Sequence, residues 1–285
     1  MTTTTLIVGQ SPRLSEYLSP LGLRRALWSM RGLAAKLIRR DVESRYRGSA
    51  LGLLWAFVNP LALLVIYTFV FGVVFQSRWP QTHREGLDSF ALSLFCGFIP
   101  FNVLSECAVR SPTSILAVPA YVKRVVFPVE LLPLSVVGSA LVHAFVSLGL
   151  LIGASLLTVG GVPWTAILVP LVLLPLVCLS LGIAWFLASL GVFVRDLTQG
   201  ITLVMQIVLF ATPIFYPLES LPARFRPFVA LSPLTWVVEN LRRTALWGAP
   251  PEWWGLALWS VTAGALMILG YAWFMKTKRA FADVL

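Results

Sequence analysis

The chain has 285 residues, 58% of them hydrophobic and 12% charged, with a mean hydropathy of +0.85. These values exclude an ordinary water-soluble domain and point to a polytopic membrane protein. The formal charge of +10 fits the basic excess of cytoplasmic loops better than a nucleic-acid surface, and no nucleic-acid partner is expected.

Residues 1–22 read as a flexible, polar N-terminus. They lack the basic start, short apolar core and small-residue cleavage site of a signal peptide, so the N-terminus is expected to stay in the cytoplasm. Over 23–47, Leu23, Leu27, Met30, Ala34, Leu37 and Ile38 recur at helical spacing. Arg24, Arg31, Lys36, Arg39 and Arg40 fill much of the rest. That pattern predicts an amphipathic helix on the membrane surface, where each basic residue gains about 1 kcal/mol near anionic lipid. Arg45 and Arg47 close this segment, and from Gly48 to Ser77 no Asp, Glu, Lys or Arg occurs.

The charge-free runs predict six spans within 51–275. The first covers about 51–75 and is kinked at Asn59-Pro60. A short charged outer loop leads to a second span over about 89–109, in which Glu106 stands one turn before Arg110 and is expected to pair with it. The next stretch is broken by Pro112, Pro119, Pro128 and Pro133 and is placed on the cytoplasmic side. Leu131 to Val194 holds no Asp, Glu, Lys or Arg, which is long enough for two spans. Gly160-Gly161-Val162-Pro163 divides them into about 133–158 and 164–192. A turn at Arg195-Asp196 precedes a fifth span over about 198–216.

Leu218 to Glu252 mixes charges with apolar runs too short to cross, so it is expected to form short re-entrant helices on the outer side between spans five and six. The sixth span covers about 253–275, and 276–285 forms a cytoplasmic tail. The fold expected is therefore all-α, with 1–285 as a single transmembrane domain. Sixteen of the 22 Lys and Arg residues then lie inside, which places both termini in the cytoplasm.

Catalytic signatures are missing. There is no phosphate-binding Gly-x-x-x-x-Gly-Lys-Ser/Thr loop, no Gly-x-Ser-x-Gly elbow and no His-Glu-x-x-His pair. Cys96, Cys107 and Cys178 lie in or beside apolar runs without metal-ligand spacing and read as small buried hydrophobes. His143 stands alone in the third span and reads as an interhelical hydrogen-bond partner. The chain is expected not to be an enzyme and to carry no cofactor of its own.

Four fragments occur in order: IRRDVESRYRGSALGLLWAFVNPL, VKRVVFPVELLPLS, LGVFVRDL and TPIFYPLESLPARFRPFVALSPLTWVVENLRRTALWG. They resemble the permease subunit of bacterial ABC exporters of lipid-linked polysaccharide, the O-antigen, teichoic-acid and capsule export group, over about residues 35–250. The resemblance implies a homodimer in the bacterial inner membrane, seated on two copies of a cytoplasmic ATP-binding subunit that binds ATP and Mg, with O-antigen and so lipopolysaccharide biosynthesis as the leading substrate and context. It also implies roles for particular residues. Tyr121, Lys123 and Arg124, within Ser111 to Phe127, would couple to the ATPase. Arg39, Arg40, Arg45 and Arg47 would receive the lipid diphosphate, since guanidinium binds phosphate bidentately.

Aromatic rings stack on the apolar faces of sugars. Trp55, Tyr67, Phe71, Phe95, Phe98, Phe101, Phe215 and Tyr216 are therefore assigned to the glycan path that the resemblance implies. Arg224, Arg226, Glu239, Arg242 and Arg243 fall in its outer gate, where they could pair with one another or touch emerging sugar. Two alternatives stay open: export of a drug or free lipid by the same architecture, and a membrane enzyme acting on lipid-linked sugars. For the enzyme, Glu106 and His143 would be the only candidate catalytic groups.

Overall fold

The structure is a computed structural model, and residues 20–75, 87–119 and 127–284 are described. These residues form helices and turns, with no strand among them. Four helical stretches are long and apolar enough to cross a membrane: Phe90–Ser114, Leu131–Thr158, Trp164–Phe193 and Trp253–Ala280. Two shorter apolar helices, Trp55–Phe71 and Leu197–Ala211, stand where the first and fifth spans are expected.

The amphipathic segment is two helices rather than one. α1 (Pro20–Ser29) and α2 (Arg31–Tyr46) are separated at Met30, which leaves the helical region at φ −99° and ψ 8°. α2 buries Ala34 and Leu37 beside Leu131. Further along, Ile38 lies over Gly138, where a Cβ would come within 2.4 Å of the isoleucine side chain. These contacts advance in the same direction along α2 and along the helix that begins at Leu131, so the second half of α2 runs beside the third expected span. Sequence periodicity finds the apolar stripe of a surface helix but not which neighbour covers it.

α3 (Trp55–Tyr67) passes through Pro60, and over Thr68–Val74 it widens into a π-helical turn. Thr68 Oγ1 bonds back to the Leu64 carbonyl at 2.8 Å, and Phe75 N reaches Val70 O at 2.9 Å, five residues back. Apart from Leu64, its described aliphatic side chains are half-exposed or exposed, so α3 borders the bundle and presents a broad apolar face outward.

α4 (Leu87–Ser114) is the central helix. It is buried along most of its length from Phe90 to Ala108 and packs on α5 (Leu131–Val159) and α6 (Val169–Phe193). It continues past the expected end near 109 because Pro112 is accommodated inside the helix. Gly191 of α6 gives the room: a Cβ there would lie 2.3 Å from the Pro112 carbonyl oxygen. α5 ends at Gly160, which adopts φ +75°, a left-handed conformation suited to glycine.

α7 (Leu197–Ala211) has 15 residues, about 22 Å at 1.5 Å each and so short of a ~30 Å hydrocarbon core. It stops where Pro213 removes a backbone donor. Short helices follow at α8 (Arg226–Ala230) and α9 (Pro233–Ala245). The last long helix, α10 (Trp253–Thr277), packs mainly on α6. The two approach closely enough that a Cβ on Gly270 would meet the Gly182 carbonyl oxygen at 2.3 Å, and one on Gly182 the Leu266 carbonyl oxygen at 2.7 Å. A final turn, α11 (Phe281–Val284), returns Phe281 to a buried cluster with Trp185, Tyr271 and Phe274. Near that cluster Lys278 Nζ donates to Glu130 Oε2 at 2.6 Å, and Trp185 Nε1 donates to the Glu130 carbonyl at 3.0 Å.

Candidate functional site

The bundle carries polar groups at two levels. Near the end that holds Pro112, Gly191 and Lys278, three elements bring their charges together. α2 supplies Asp41, Arg45 and Tyr46, α4 supplies Glu106 and Arg110, and α5 supplies Ser139 and His143. Arg110 grips Asp41 bidentately, with Nη2 to Oδ1 at 2.9 Å and Nη1 to Oδ2 at 3.0 Å. It also reaches Glu106 Oε1 on its own helix at 3.0 Å. Ser139 Oγ donates to Asp41 Oδ2 at 2.6 Å. Arg45 pairs with Glu106, donates to Ser139 Oγ at 2.8 Å and donates to His143 Nδ1 at 2.8 Å.

Because a guanidinium can only donate, His143 Nδ1 accepts. The remaining nitrogen, Nε2, then carries the proton and gives it to Tyr46 Oη, 3.0 Å away. Two guanidinium groups face two carboxylates, so the network is neutral as a whole. Burial works against the Asp41 charge, yet hydrogen bonds from Arg110 and Ser139 and the charges of Arg110 and Arg45 outweigh it. The carboxyl is held below its ordinary range. Burial and the like charge of Arg110 pull the Arg45 guanidinium down to about 10, against the attraction of Asp41. A cavity of about 430 Å³ opens beside the network, with Arg45, Trp55, Asn59, Asn102, Glu106 and His143 in its wall.

This arrangement separates the four arginines grouped by the sequence. Arg45 turns into the bundle, whereas Arg39 stays exposed with Glu43 at 2.7 Å, and Arg40 and Arg47 are exposed. Glu106 and Arg110 pair as their spacing predicts. Asp41, Tyr46 and Ser139 were not singled out by sequence. Asp41 had one legible sign, its place four residues before Arg45, and the structure puts those two groups 3.8 Å apart. Tyr121, Lys123 and Arg124 lie outside the described residues.

The aromatic candidates divide. Tyr67 stacks on Phe98 with centroids 4.9 Å apart, Phe98 meets Phe101 and Phe215 edge-on, and Phe71 lies 6.3 Å from Phe215. Phe75, Phe90 and Phe210 extend this patch beyond the residues chosen from sequence. Phe95 is buried in the same core, and Trp55 lines the cavity beside the ion network. Tyr216 folds back to donate to the Phe210 carbonyl at 2.8 Å.

At the opposite end, Arg242 of α9 is fully buried. Its guanidinium donates to three main-chain carbonyls: Nε to Ser93 at 2.9 Å, Nη1 to Pro213 at 2.7 Å and Nη2 to Ile214 at 3.0 Å. Nη1 also meets Glu239 Oε1 at 2.8 Å. Gly97 leaves the space, since a Cβ there would be 2.6 Å from Arg242 Nη2. Arg243 lies 3.6 Å from Glu252, Arg226 donates to the Leu221 and Glu219 carbonyls, and Arg224 covers the Phe225 ring at 4.7 Å. Among the described residues no group of three or more His, Cys, Asp or Glu side chains could hold a metal ion.

Comparison with known proteins gives a consistent answer. The profile of the ABC-2 type transporter family matches residues 34–246. The chain is 31% identical over 199 residues to the O-antigen export system permease protein RfbA of Myxococcus xanthus, across 70% of this chain and 74% of that protein. It is 28% identical over 255 residues to the permease of that name from Klebsiella pneumoniae, across 89% of this chain and 95% of that one. The polysialic acid transport protein KpsM of Escherichia coli is 25% identical over 249 residues, across 86% of this chain and 93% of KpsM.

Proposed function

Since the chain belongs to the ABC-2 type transporter family, we propose that it is the non-catalytic membrane subunit of an ATP-driven exporter of a lipid-linked polysaccharide, with O-antigen as the favoured polymer. The observation that carries this reading is the match, over 89% of this chain and 95% of each relative, to permeases named for O-antigen export. An all-helical body with four long apolar helices agrees with it.

In this reading the shorter helices α3 and α7 complete six spans, and α8 and α9 form the re-entrant outer elements. Both termini face the cytoplasm, and two copies of the chain meet two ATP-binding subunits. Those subunits bind ATP and Mg. Tyr121, Lys123 and Arg124 take the coupling contact, and Arg39, Arg40, Arg45 and Arg47 face the lipid diphosphate. For Arg45, a half-buried guanidinium beside a polar cavity supports contact with a phosphate, although Glu106 must release it first. The aromatic patch around Phe98 and Phe215 supports a glycan path along α3, α4 and the end of α7. Arg224, Arg226, Glu239, Arg242 and Arg243 belong to the outer gate.

The test is deletion of this chain in its own host, with complementation. Surface polysaccharide is expected to disappear and lipid-linked glycan to accumulate inside, with both changes reversed when the chain is supplied again. Unchanged surface polysaccharide in the deletion strain would overturn the proposal.

A further inference from the structure

The end of the bundle opposite the ion network holds a second cavity, of about 380 Å³, between the α8–α9 region and the segment that enters α10. Its size lies within the roughly 300–1,000 Å³ of small-molecule sites. Its wall combines Trp236 and Trp247 with Glu219, Glu239, Arg243 and Glu252. Seven buried side-chain polar atoms among the described residues lack a hydrogen-bond partner, and three of them belong to residues of this wall: Thr235 Oγ1, Trp236 Nε1 and Trp247 Nε1. Such a concentration marks a place built for a partner that carries hydroxyl groups, because native proteins rarely bury donors unpaired.

The Trp236 indole has its N–H edge over Gly255, where a Cβ would stand 2.1 Å from Nε1, so this ring is fixed as a wall. Thr235 and Trp247 remain to offer hydrogen bonds. Asn240 is already committed, donating to the Trp236 carbonyl at 3.0 Å and accepting from Glu252 N at 2.8 Å. The wall carries three carboxylates and one guanidinium, with Glu252 3.6 Å from Arg243 and Glu239 paired to Arg242. This balance disfavours an acidic ligand and suits hydroxyl or amine donors.

The geometry points to a carbohydrate subsite in this cavity, which holds one uncharged or amino-bearing sugar unit of the exported polymer as it leaves. Indole surfaces supply the apolar platform, Glu219 and Glu252 accept from sugar hydroxyls, and Thr235 and Trp247, whose polar atoms are closed off in this structure, turn toward the cavity to donate to ring or hydroxyl oxygens. This inference rests on the export reading.

It is tested in the chain's own host with Ala249→Cys on the cavity wall and Phe228→Cys, exposed and not part of that wall, as reference. Labelling by a membrane-impermeant maleimide is timed in cells that make the glycan and in cells blocked before its first sugar is added, with the parent chain giving the background. Labelling of Ala249→Cys should be several-fold slower when glycan is passing, and labelling of Phe228→Cys should be the same in both. If Ala249→Cys does not support export, Ala230→Cys on the same cavity replaces it. Adding Thr235→Val should abolish the protection, and protection that survives it would overturn the assigned contacts. Equal rates at the cavity cysteine in both strains, with surface glycan still dependent on the chain, would mean that water alone fills the cavity and would sink the subsite. Surface glycan independent of the chain would instead sink the export reading itself.

Discussion

Arg110, near one end of the central helix α4, and Arg242, which α9 sets against the other end of α4 at Ser93, are neutralised by different means. Arg110 is met by the side chains of Asp41 and Glu106, one of which arrives on a separate helix. Arg242 is met mainly by the main-chain carbonyls of Ser93, Pro213 and Ile214, with Glu239 three residues before it on the same helix. A carbonyl cage persists whatever side chains surround it, whereas a carboxylate partner is present only while its helix is docked. The Arg110 pairing is therefore conditional on α2, and the Arg242 pairing is built into the chain path.

The largest effect expected from this contrast is at Arg242. Arg242→Met leaves three buried carbonyls and Glu239 without their donor and should cost about 3–5 kcal/mol, the range for breaking a buried ion pair. A lower unfolding temperature of the purified protein reads this loss directly. Arg242→Lys should recover only part of it, because an ammonium lacks the planar fork that reaches three acceptors. An Arg242→Met protein as stable as the parent would remove the fixed half of the comparison.

A smaller loss is expected at Asp41→Asn. Arg110 is one-third exposed at its side chain, so water screens part of the change, and about 1–2 kcal/mol is a reasonable bound. The expected signature is local: faster hydrogen exchange over Ala34–Tyr46 with the remaining helices unaffected. Gly138→Val should free the same segment by steric means, since its side chain would collide with Ile38. If both variants loosen the whole bundle alike, α2 is not a separately docked element.

The smallest effect is that of pH. The Asp41 carboxyl is held below its unfolded value, so its contribution is complete above the ordinary carboxylate pKa of about 4 and is lost as the pH falls through the lower folded value. Exchange over α2, corrected for its intrinsic pH dependence, should stay flat from about pH 8 to 5 and rise only in stronger acid. A rise near pH 6 would assign control to another group.

The sequence reveals the long helices because uninterrupted apolar runs bounded by charges leave few other choices in a membrane. The Glu106–Arg110 pair is legible as well, since four residues on one helix fix their separation. The Asp41–Arg110 contact joins positions 69 residues apart, and no local period carries that information. Arg242 looks like a surface charge by pattern, because the carbonyls that bury it have no side-chain signature. The widening of α3 after Tyr67 and the break at Met30 were equally silent, as they depend on how each segment meets its neighbours. The helix through Pro112 depends on the bare face of Gly191, a residue 79 positions away.

The backbone contact of Gly182 with Gly270 has a practical consequence for observing this protein at work. Two helices that touch without intervening side chains leave little room for sliding, so α6 and α10 supply a reference against which other motions can be measured. A spectroscopic label fixed on the exposed face of α10, paired with one on α2, would report displacement of α2 alone. The same label paired with one on α6 should give a constant distance through every stage of turnover.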